Sequence, residues 1–256
     1  MTNTGVEMTG RTALIIGGTT GIGRAAALEF AAAGANVFIA GLGEDAGREA
    51  VAEIRGKYRT GAEFLEADVR RDADVRAVIE RASGKFGRIH AAVNNAGTEQ
   101  KFGPVHETTL EEFERVIGIN LRGVWLGMKY EIPHMLAHGG GAIVNTASMA
   151  GIEGIANVAV YTASKHGVVG LTKASALELA RSHIRVNAVA PGPVDTGLLA
   201  RMLAGKIELS VIAESVPMGR ISSPEEIAKG MVWLCSDAAS YVTGHTLVID
   251  GGATIG

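Results

Sequence analysis

The sequence predicts an α/β fold, a single doubly wound domain in which a seven-stranded parallel sheet is covered by helices on both faces. Three observations predict it. Short apolar runs alternate with longer stretches of helical periodicity along the chain, and several of these runs end in glycine. No Pro-rich or Ser-rich linker, charge block or repeat interrupts the 256 residues, so we expect residues 1–256 to form one domain.

The first three elements predict a βαβ unit. Thr12 to Ile16 is a short apolar run that ends at a glycine and predicts the first strand. Residues 21–33 carry apolar side chains at helical spacing, and Gly34 follows where a helix stop is expected. Residues 36–40 (NVFIA) predict the second strand. Two strands joined by a helix of this length are typical of parallel pairing.

The same alternation continues to the end of the chain. In order, the patterns predict a helix over 44–55, a strand over 62–67, a helix over 72–85, a strand over 89–93, helices between 109 and 137, a strand over 142–146, a helix over 158–180, a strand over 184–189, helices over 198–213 and 224–234, and a strand over 246–249. Sheets of this kind bind ligands at the carboxyl ends of their strands, so functional motifs are expected directly after the strands.

Charge and composition exclude several classes of partner. The 24 basic and 27 acidic side chains give a formal charge of -3, which argues against a nucleic-acid partner. No apolar stretch approaches the roughly 20 residues of a spanning helix, and residues 1–11 lack the apolar core of a secretory signal, so we expect no membrane association. Cys235 is the single cysteine, which excludes an intrachain disulfide and favours a cytoplasmic location.

A glycine-rich turn follows the first strand. Gly17 to Gly23 (GGTTGIG) lies between that strand and the first helix, where glycines let a backbone approach a pyrophosphate and the helix N-terminus supplies N–H donors. The pattern alone is weak in a chain with 35 glycines, and a purely structural turn is the alternative. Its position favours dinucleotide binding.

The end of the second strand bears on which dinucleotide binds. An acidic residue there would bind the ribose 2′-hydroxyl of NAD, and a basic residue would receive the 2′-phosphate of NADP. The strand continues into Gly41-Leu42-Gly43, which carries neither. Glu44 and Asp45 would repel a phosphate, so the sequence favours NAD and leaves NADP open.

A tyrosine and a lysine stand one helical turn apart after the fifth predicted strand. Tyr161 and Lys165 share one helix face, and Ser148 lies just after that strand. A phenol has an ordinary pKa near 10, and a neighbouring ammonium would lower it. Tyr161 then becomes a candidate general acid/base, with Ser148 holding the substrate oxygen. The alternative is a half-buried tyrosine beside a solvated lysine.

The motifs taken together resemble the classical short-chain dehydrogenase/reductase family, with its Rossmann fold, over nearly the whole chain. Besides the glycine turn, they are Asp68-Val69, Asn94-Asn95-Ala96-Gly97, Asn120, Ser148, Tyr161-Thr162-Ala163-Ser164-Lys165 and Pro191-Gly192-Pro193-Val194-Asp195-Thr196. One departure is Ile16, which replaces a threonine that usually opens the glycine motif, and this puts the stability of the turn in doubt.

The resemblance implies a catalytic set and a cofactor site. The catalytic set is Asn120, Ser148, Tyr161 and Lys165, in which Lys165 also binds the nicotinamide ribose and Asn120 holds a water that links Lys165 to solvent. The implied cofactor-binding residues, with those of the glycine turn, are Gly17, Thr19, Thr20, Gly21, Ile22, Gly23, Leu42, Asp68, Val69, Asn95, Ala96, Gly97, Tyr161, Lys165, Pro191, Gly192, Val194 and Thr196. The family also implies a homotetramer.

The expected activity is NAD(P)-dependent interconversion of a secondary alcohol and a ketone by hydride transfer. The alternatives are a catalytically silent dinucleotide-binding regulator or scaffold, and a nucleotide-sugar epimerase or dehydratase of the extended family, which usually needs a larger C-terminal domain.

The substrate is expected to lie in a mostly apolar pocket. Met149 and Val158 would line it, Glu153 would be its polar exception, and no arginine cluster is expected there. Residues 197–213 would form a flap over it, an ordinary amphipathic helix being the alternative.

Two weaker signals carry no functional expectation. His134 and His138 have the spacing of a metal pair, but no further ligand completes a site, so we expect no metal and a solvated helix end. Cys235 is expected to be a small core residue.

Overall fold

The computed structural model describes residues 6–203 and 208–256 and confirms the predicted fold class. Seven strands form one sheet in the order β3-β2-β1-β4-β5-β6-β7, and every neighbouring pair is parallel. The strands are β1 (Thr12–Ile16), β2 (Asn36–Gly41), β3 (Ala62–Glu66), β4 (Ala91–Asn94), β5 (Gly141–Thr146), β6 (Ile184–Pro191) and β7 (Thr246–Ile249).

Helices cover both faces of the sheet. The described helices are α1 (Gly21–Ala32), α2 (Glu44–Lys57), α3 (Asp72–Phe86), α4 (Leu110–Ile117), α5 (Gly123–Ala137), α6 (Ala159–Leu179), α7 (Gly197–Leu203), α8 (Leu209–Ser215) and α9 (Pro224–Cys235). One apolar core joins α1, α2 and α9 to the sheet, and a second core joins α3, α5 and α6 to its other face. This arrangement explains why the central strands read as continuous apolar runs.

Strand β1 shows how a run without alternation still has two faces. Ala13 and Ile15 belong to the first core, whereas Leu14 and Ile16 belong to the second. Each fully buried side chain of leucine or isoleucine size contributes roughly 1.5–3 kcal/mol. The strand is therefore fixed between two layers of helices.

The order of the strands reverses between β1 and β4, which are neighbours in the sheet although β2 and β3 lie between them in the chain. Connections leave β1 and β4 toward opposite sides, so a crevice opens beyond their carboxyl ends. The glycine turn and Asn95 to Gly97 follow these two strands directly and therefore border the crevice.

Some boundaries differ from the sequence-based expectations. Strand β6 continues to Pro191, because it pairs with β7 up to that residue. The helix expected over 198–213 is two helices, α7 and α8, and the part of it at 204–207 lies outside the described residues. Between α4 and α5 the chain forms a π-type turn (Gly118–Arg122). Within the described ranges, each helix is too short or too polar to cross a bilayer.

Candidate active site

A cleft of about 750 Å³ runs along the carboxyl ends of the strands. Most of the predicted site residues line it, although they come from every part of the chain. These are Gly17, Thr19, Thr20, Gly21, Ile22, Leu42, Asp68, Val69, Asn95, Ala96, Gly97, Ser148, Tyr161, Lys165, Pro191, Gly192, Val194 and Thr196. The structure does not place Gly23 and Asn120 on the wall of the cleft.

Two glycines in the turn after β1 allow close packing within the protein. Gly17 has φ +81 and lies against the next loop, where an added Cβ would stand 2.4 Å from the Ala96 nitrogen. An added Cβ at Gly23 would stand 1.9 Å from the Gly17 carbonyl oxygen and 2.7 Å from Nδ2 of Asn95. Gly23 therefore lets α1 pack against the turn, which corrects its predicted place at the cofactor surface.

The turn is held without the threonine hydroxyl that Ile16 replaces. The Gly17 nitrogen donates to the Ala40 oxygen at 2.7 Å, and the Ile16 oxygen accepts from the Asn95 nitrogen at 2.8 Å. Asn95 Nδ2 also donates to the Gly17 oxygen at 3.0 Å. The Ile16 side chain is buried in the core instead. These bonds hold the turn in place, and none of them uses the side chain of residue 16.

The N-terminus of α1 fits a pyrophosphate. Thr20 is the N-cap residue, and its side chain makes no capping hydrogen bond. The first N–H groups of a helix have no partner inside the helix, and together they attract anions. With Gly17 and Gly21 also on the wall of the cleft, the residues present fit the diphosphate of a dinucleotide.

Charged groups at the end of β2 are paired with one another. Arg70 donates to both carboxylate oxygens of Asp68, and Arg48 donates to Glu44. Glu66 Oε1 accepts from the Gly43 nitrogen at 3.1 Å. The guanidinium groups of Arg70 and Arg48 are therefore already paired with carboxylates. Neither of these two arginines is free to bind the 2′-phosphate of NADP.

Three of the four predicted catalytic residues, Ser148, Tyr161 and Lys165, meet in the cleft. Lys165 is 4% exposed, and its Nζ donates to the Thr146 oxygen at 2.8 Å. The same Nζ lies 5.7 Å from the centre of the Tyr161 ring. The Ser148 side chain lies near the Tyr161 phenol and acts to lower its pKa. The Tyr161 backbone nitrogen donates to Oε1 of Gln100 at 2.8 Å, which fixes the start of α6.

Burial changes the protonation behaviour of the pair from what the sequence suggests. It lowers the pKa of Lys165 to about 8, because a buried ammonium loses its hydration. It also raises the pKa of Tyr161, and the nearby Ser148 side chain only partly opposes this. The lowered phenol pKa expected from the neighbouring lysine is therefore not found, because desolvation is the largest influence on the Tyr161 pKa.

Asn120 acts on a loop rather than on the cleft. It is fully buried in the π-type turn, where its Oδ1 accepts from the Thr98 nitrogen at 2.7 Å. Its Nδ2 donates to the Thr98 oxygen at 3.0 Å. A side chain that pairs with both backbone groups of one residue fixes the course of the loop after β4. The expected role of Asn120 in holding a water beside Lys165 stays a prediction.

The substrate end of the cleft is apolar but carries charges that the sequence did not suggest. Met149, Ile155, Val158, Leu199 and Met202 line it, whereas Glu153 is not part of the wall. The charged groups there are Arg115 and Arg201. This corrects the expectation that Glu153 is the polar exception of the pocket, and it adds two arginines that the sequence did not suggest.

Some residues that shape the site gave no sequence signal. Gln100 is fully buried and contacts α6, which is distant in the sequence, so no periodicity marks it. Glu131 is buried beneath β4, where Nδ2 of Asn94 donates to its Oε2 at 3.0 Å. Burial raises the pKa of Glu131 to about 7. Both could be found only from tertiary contacts.

The histidine pair and the cysteine have structural surroundings. His134 Nε2 accepts from the Ile89 nitrogen at 3.0 Å, and the His134 ring stacks on His138, so His134 is more than a solvated helix end. Among the described residues, no group of three or more candidate ligands could hold a metal. Cys235 is buried, as expected, and burial raises the pKa of its thiol to about 12.

Comparison with known proteins gives consistent matches over the whole length. A family model described as enoyl-(acyl carrier protein) reductase matches residues 17–254. A 2,5-dichloro-2,5-cyclohexadiene-1,4-diol dehydrogenase of Sphingobium indicum is 41% identical over 250 residues, covering 97% of this chain and 98% of that protein. A cyclohexanol dehydrogenase of Acinetobacter sp. is 42% identical over 244 residues, covering 95% of each.

Solved structures agree with these relatives. The crystal structure of levodione reductase superposes with a TM-score of 0.94 at 38% identity, covering 97% of this chain and 99% of that one. A 3-ketoacyl-(acyl-carrier-protein) reductase from Brucella melitensis, complexed with NADH, superposes with a TM-score of 0.90 at 37% identity, covering 97% and 100%. These proteins are named as enzymes, which gives no support to a silent regulator.

Proposed function

The chain belongs to the short-chain dehydrogenase/reductase family and is an NAD(P)-dependent oxidoreductase of CH–OH groups, and from that premise we propose that it interconverts a ring-borne secondary alcohol and its ketone, with NAD as the preferred cofactor. One observation carries the proposal. Ser148, Tyr161 and Lys165 meet at the point where an apolar wall joins the dinucleotide end of the cleft. Relatives named for cyclohexanol and a cyclohexadiene diol support a ring substrate.

We propose the following roles for the three side chains. NAD, held by the glycine turn and the other dinucleotide-end residues of the cleft, would supply the hydride acceptor. Ser148 donates a hydrogen bond to the substrate oxygen and holds it beside the Tyr161 phenol. Tyr161 Oη takes the hydroxyl proton in oxidation and returns it in reduction. Lys165, anchored by the Thr146 oxygen, stabilises the phenolate with its charge while it remains protonated, below a pH of about 8.

The apolar wall contributes by excluding water. Met149, Val158 and Met202 present no hydrogen-bonding groups to a ring, so the substrate oxygen is the part of the ligand that finds polar partners. The ring is then oriented with its hydroxyl toward Ser148 and Tyr161. A flap over 197–213 remains a proposal, supported by Leu199, Met202 and Ile212, which line the cleft from α7 and α8.

The test is oxidation of cyclohexanol by the purified enzyme with NAD⁺, followed through the absorbance of NADH. Replacing Tyr161→Phe removes the proton acceptor but keeps the ring, so we expect kcat to fall by about 10²- to 10⁴-fold. The NADH dissociation constant, measured by fluorescence titration, should stay within about twofold, a range small against the tenfold that corresponds to 1.4 kcal/mol. A Phe variant that retains full turnover would show that another group moves the proton.

NAD is preferred over NADP because of the charges beyond β2. A 2′-phosphate there would meet Glu44, Asp45 and Glu66, while the neighbouring arginines are paired with carboxylates. Paired titrations with NADH and NADPH at one ionic strength test this preference. Equal affinity, or tighter binding of NADPH, would contradict it.

We also propose a homotetramer located in the cytoplasm. Leu110 and Phe113 of α4 and Trp125 of α5 are large apolar side chains left exposed, which supports association of these helices between copies. The lone cysteine is free and buried, which suits a reducing compartment. Light scattering coupled to size exclusion tests the tetramer, and a monomeric mass would contradict it.

A further inference from the structure

We propose that Glu99 is a specificity-determining residue that acts as a charge filter, so that the cleft accepts uncharged ring alcohols and rejects those that carry a carboxylate. It does so by pairing with Arg201, a cation at the substrate end of the cleft. This inference rests on the proposed function and adds a restriction on its substrates.

The two side chains form a bidentate ion pair beside the cleft, whose wall includes Arg201 but not Glu99. Arg201 Nε donates to Glu99 Oε1 at 3.2 Å, and Arg201 Nη2 donates to Oε2 at 3.1 Å. Both carboxylate oxygens are thus engaged by one guanidinium, the geometry in which such pairs are strongest. Arg201 lies on α7 and lines the cleft, so its charge would otherwise face the substrate.

Glu99 is the fixed member of the pair. Its side chain is 19% exposed, whereas that of Arg201 is 60% exposed. Arg115 Nη2 donates to the Glu99 backbone oxygen at 2.8 Å. The residues on either side, Thr98 and Gln100, are held by Asn120 and by the start of α6. Glu99 is therefore held in place by its surroundings, and the more exposed Arg201 side chain reaches its carboxylate from α7.

The second arginine of the wall is also compensated. The Arg115 guanidinium lies 3.6 Å from the Glu112 carboxylate, and it donates to Thr98 as well. The two arginines are therefore matched by two glutamates. A substrate carboxylate entering beside these two arginines would find both guanidiniums already paired, so desolvating it there would be costly.

The charge of Glu99 also reaches the reacting phenol. Its pKa is lowered although burial opposes this, because Arg201 hydrogen-bonds to it and Arg115 lies close by, so Glu99 is ionised at neutral pH. Its negative charge in turn contributes to the raised pKa of Tyr161. A substrate carboxylate held near Tyr161 would meet the same charge as repulsion.

The experiment compares a neutral and a charged form of one ring. The substrates are methyl trans-4-hydroxycyclohexanecarboxylate and the free acid, oxidised with saturating NAD⁺, and the readout is the acid-to-ester ratio of kcat/KM. The wild type should prefer the ester. In Glu99→Gln the arginine becomes available to the acid, and we expect the ratio to rise about tenfold, as 1.4 kcal/mol of transition-state binding would give.

Two further variants separate the filter from a structural role. Arg201→Gln breaks the same pair from its exposed side but removes the cation, so the ratio should stay level or fall. Glu80→Gln breaks an exposed pair with Arg76 on α3 and should leave the ratio unchanged. The pH profile of ester oxidation should move to lower pH in Glu99→Gln, because the pKa of Tyr161 falls when the nearby negative charge is removed.

The outcomes distinguish this inference from the proposed function. If Glu99→Gln oxidises the ester but its ratio and its pH profile match the wild type, the filter is wrong and the function stands. If the ratio rises equally in Arg201→Gln, loss of the pair rather than release of the cation is responsible, and the filter is again wrong. If the wild type oxidises neither the ester nor cyclohexanol, the proposed function itself fails.

Discussion

Each end of the sheet carries a cavity, of about 750 Å³ at the carboxyl end and about 470 Å³ at the amino end. The two cavities differ in the charge of their lining and in whether its hydrogen-bonding groups are already paired. The cavity at the amino end has the denser set of ionisable groups, lined by Arg11, Arg88, His90, His183, Arg185 and Asp237. The dinucleotide end of the larger cleft is lined mostly by glycines, hydroxyls and small apolar side chains, and its Asp68 and Arg70 are paired with each other. By charge alone the smaller cavity would look like the binding site.

Hydrogen bonding explains the difference. At the amino end, Arg185 Nη1 donates to the Leu234 oxygen at 2.6 Å and its Nη2 donates to the Ser236 oxygen at 3.0 Å. Arg88 Nη2 donates to the oxygens of Gly139 and Gly140. These guanidiniums satisfy carbonyls where α5 and α9 end. At the carboxyl end, the first turn of α1 and the hydroxyl of Ser148 face the cleft. The candidate active site therefore differs from the cavity at the amino end in having hydrogen-bond donors that face the cleft, and not in the number of its charges.

The largest expected effect comes from adding one methyl group at the carboxyl end. Gly23→Ala would place a Cβ 1.9 Å from the Gly17 oxygen, a clash with backbone that cannot be relieved by a side-chain rotation. We expect destabilisation by about 4 kcal/mol or more, and a Tm lower by about 10 °C or more. Thermal unfolding followed by circular dichroism measures this change.

The matched control is Gly84→Ala on α3, where an added Cβ meets nothing within 4 Å. Alanine in a helix interior is favoured over glycine, so this variant should be stabilised by roughly 0.5–1 kcal/mol. Equal Tm values for the two variants would show that the turn can relax, and would remove the distinction between the packing glycine and the others.

Removing a charge at the amino end should affect stability alone. Arg185→Met keeps the aliphatic length but leaves the Leu234 and Ser236 oxygens without their donor. We expect a loss of about 3 kcal/mol in the free energy of unfolding by urea. The kcat/KM of the folded fraction should stay at the wild-type value. A large fall in kcat/KM at full folding would mean that the two ends of the sheet are coupled.

A third substitution lies between the two ends, under β4. Glu131 has a pKa of about 7, above its ordinary value of 4.5, so the folded protein binds more protons than the unfolded chain between those values. Its contribution therefore makes stability fall as pH rises from about 4.5 to 7, by roughly 3 kcal/mol in all. Glu131→Gln should flatten this part of the profile of unfolding free energy against pH.

The surroundings of Glu131 give that prediction a geometric basis. Among the described groups, Oε1 of Glu131 and Oδ1 of Asn94 are buried acceptors without a hydrogen-bond partner. A proton on the Glu131 carboxyl would turn one of its oxygens into a hydrogen-bond donor, and the amide of a glutamine supplies a donor at every pH. An unchanged slope in the glutamine variant would assign the pH dependence to other groups.

The smallest expected effect adds a charge to the carboxyl end. Leu42 follows β2 and is 60% exposed, so an arginine fits there without disturbing the core. Leu42→Arg should shift the NADPH-to-NADH ratio of affinities toward NADPH by about tenfold, since a guanidinium can pair with the 2′-phosphate. Leu42→Gln, which has no charge, is the control. A shift equal in both variants would show that the charge is not responsible.

The sequence predicts the strands well, because buried parallel strands are continuous apolar runs, and it places Ser148, Tyr161 and Lys165 correctly at the cleft. Other features depend on contacts that spacing does not contain. A glycine that faces a pyrophosphate and one that packs on a carbonyl, such as Gly23, look alike in the motif. Glu99 and Arg201 are 102 positions apart in the chain. The protonation of Tyr161 depends on burial, which no pairwise spacing reveals.

The bracing of residues 98–100 has a consequence for how related enzymes can diverge. Asn120 hydrogen-bonds to both backbone groups of Thr98, and Gln100 accepts a hydrogen bond from the Tyr161 nitrogen at the start of α6. A single position, residue 99, lies between Thr98 and Gln100. An insertion in this loop would be expected to displace Tyr161, the proposed general acid/base, whereas a replacement at position 99 leaves the backbone bonds of residues 98 and 100 intact. Substrate range can therefore evolve here by point substitution, while the length of the loop stays constrained.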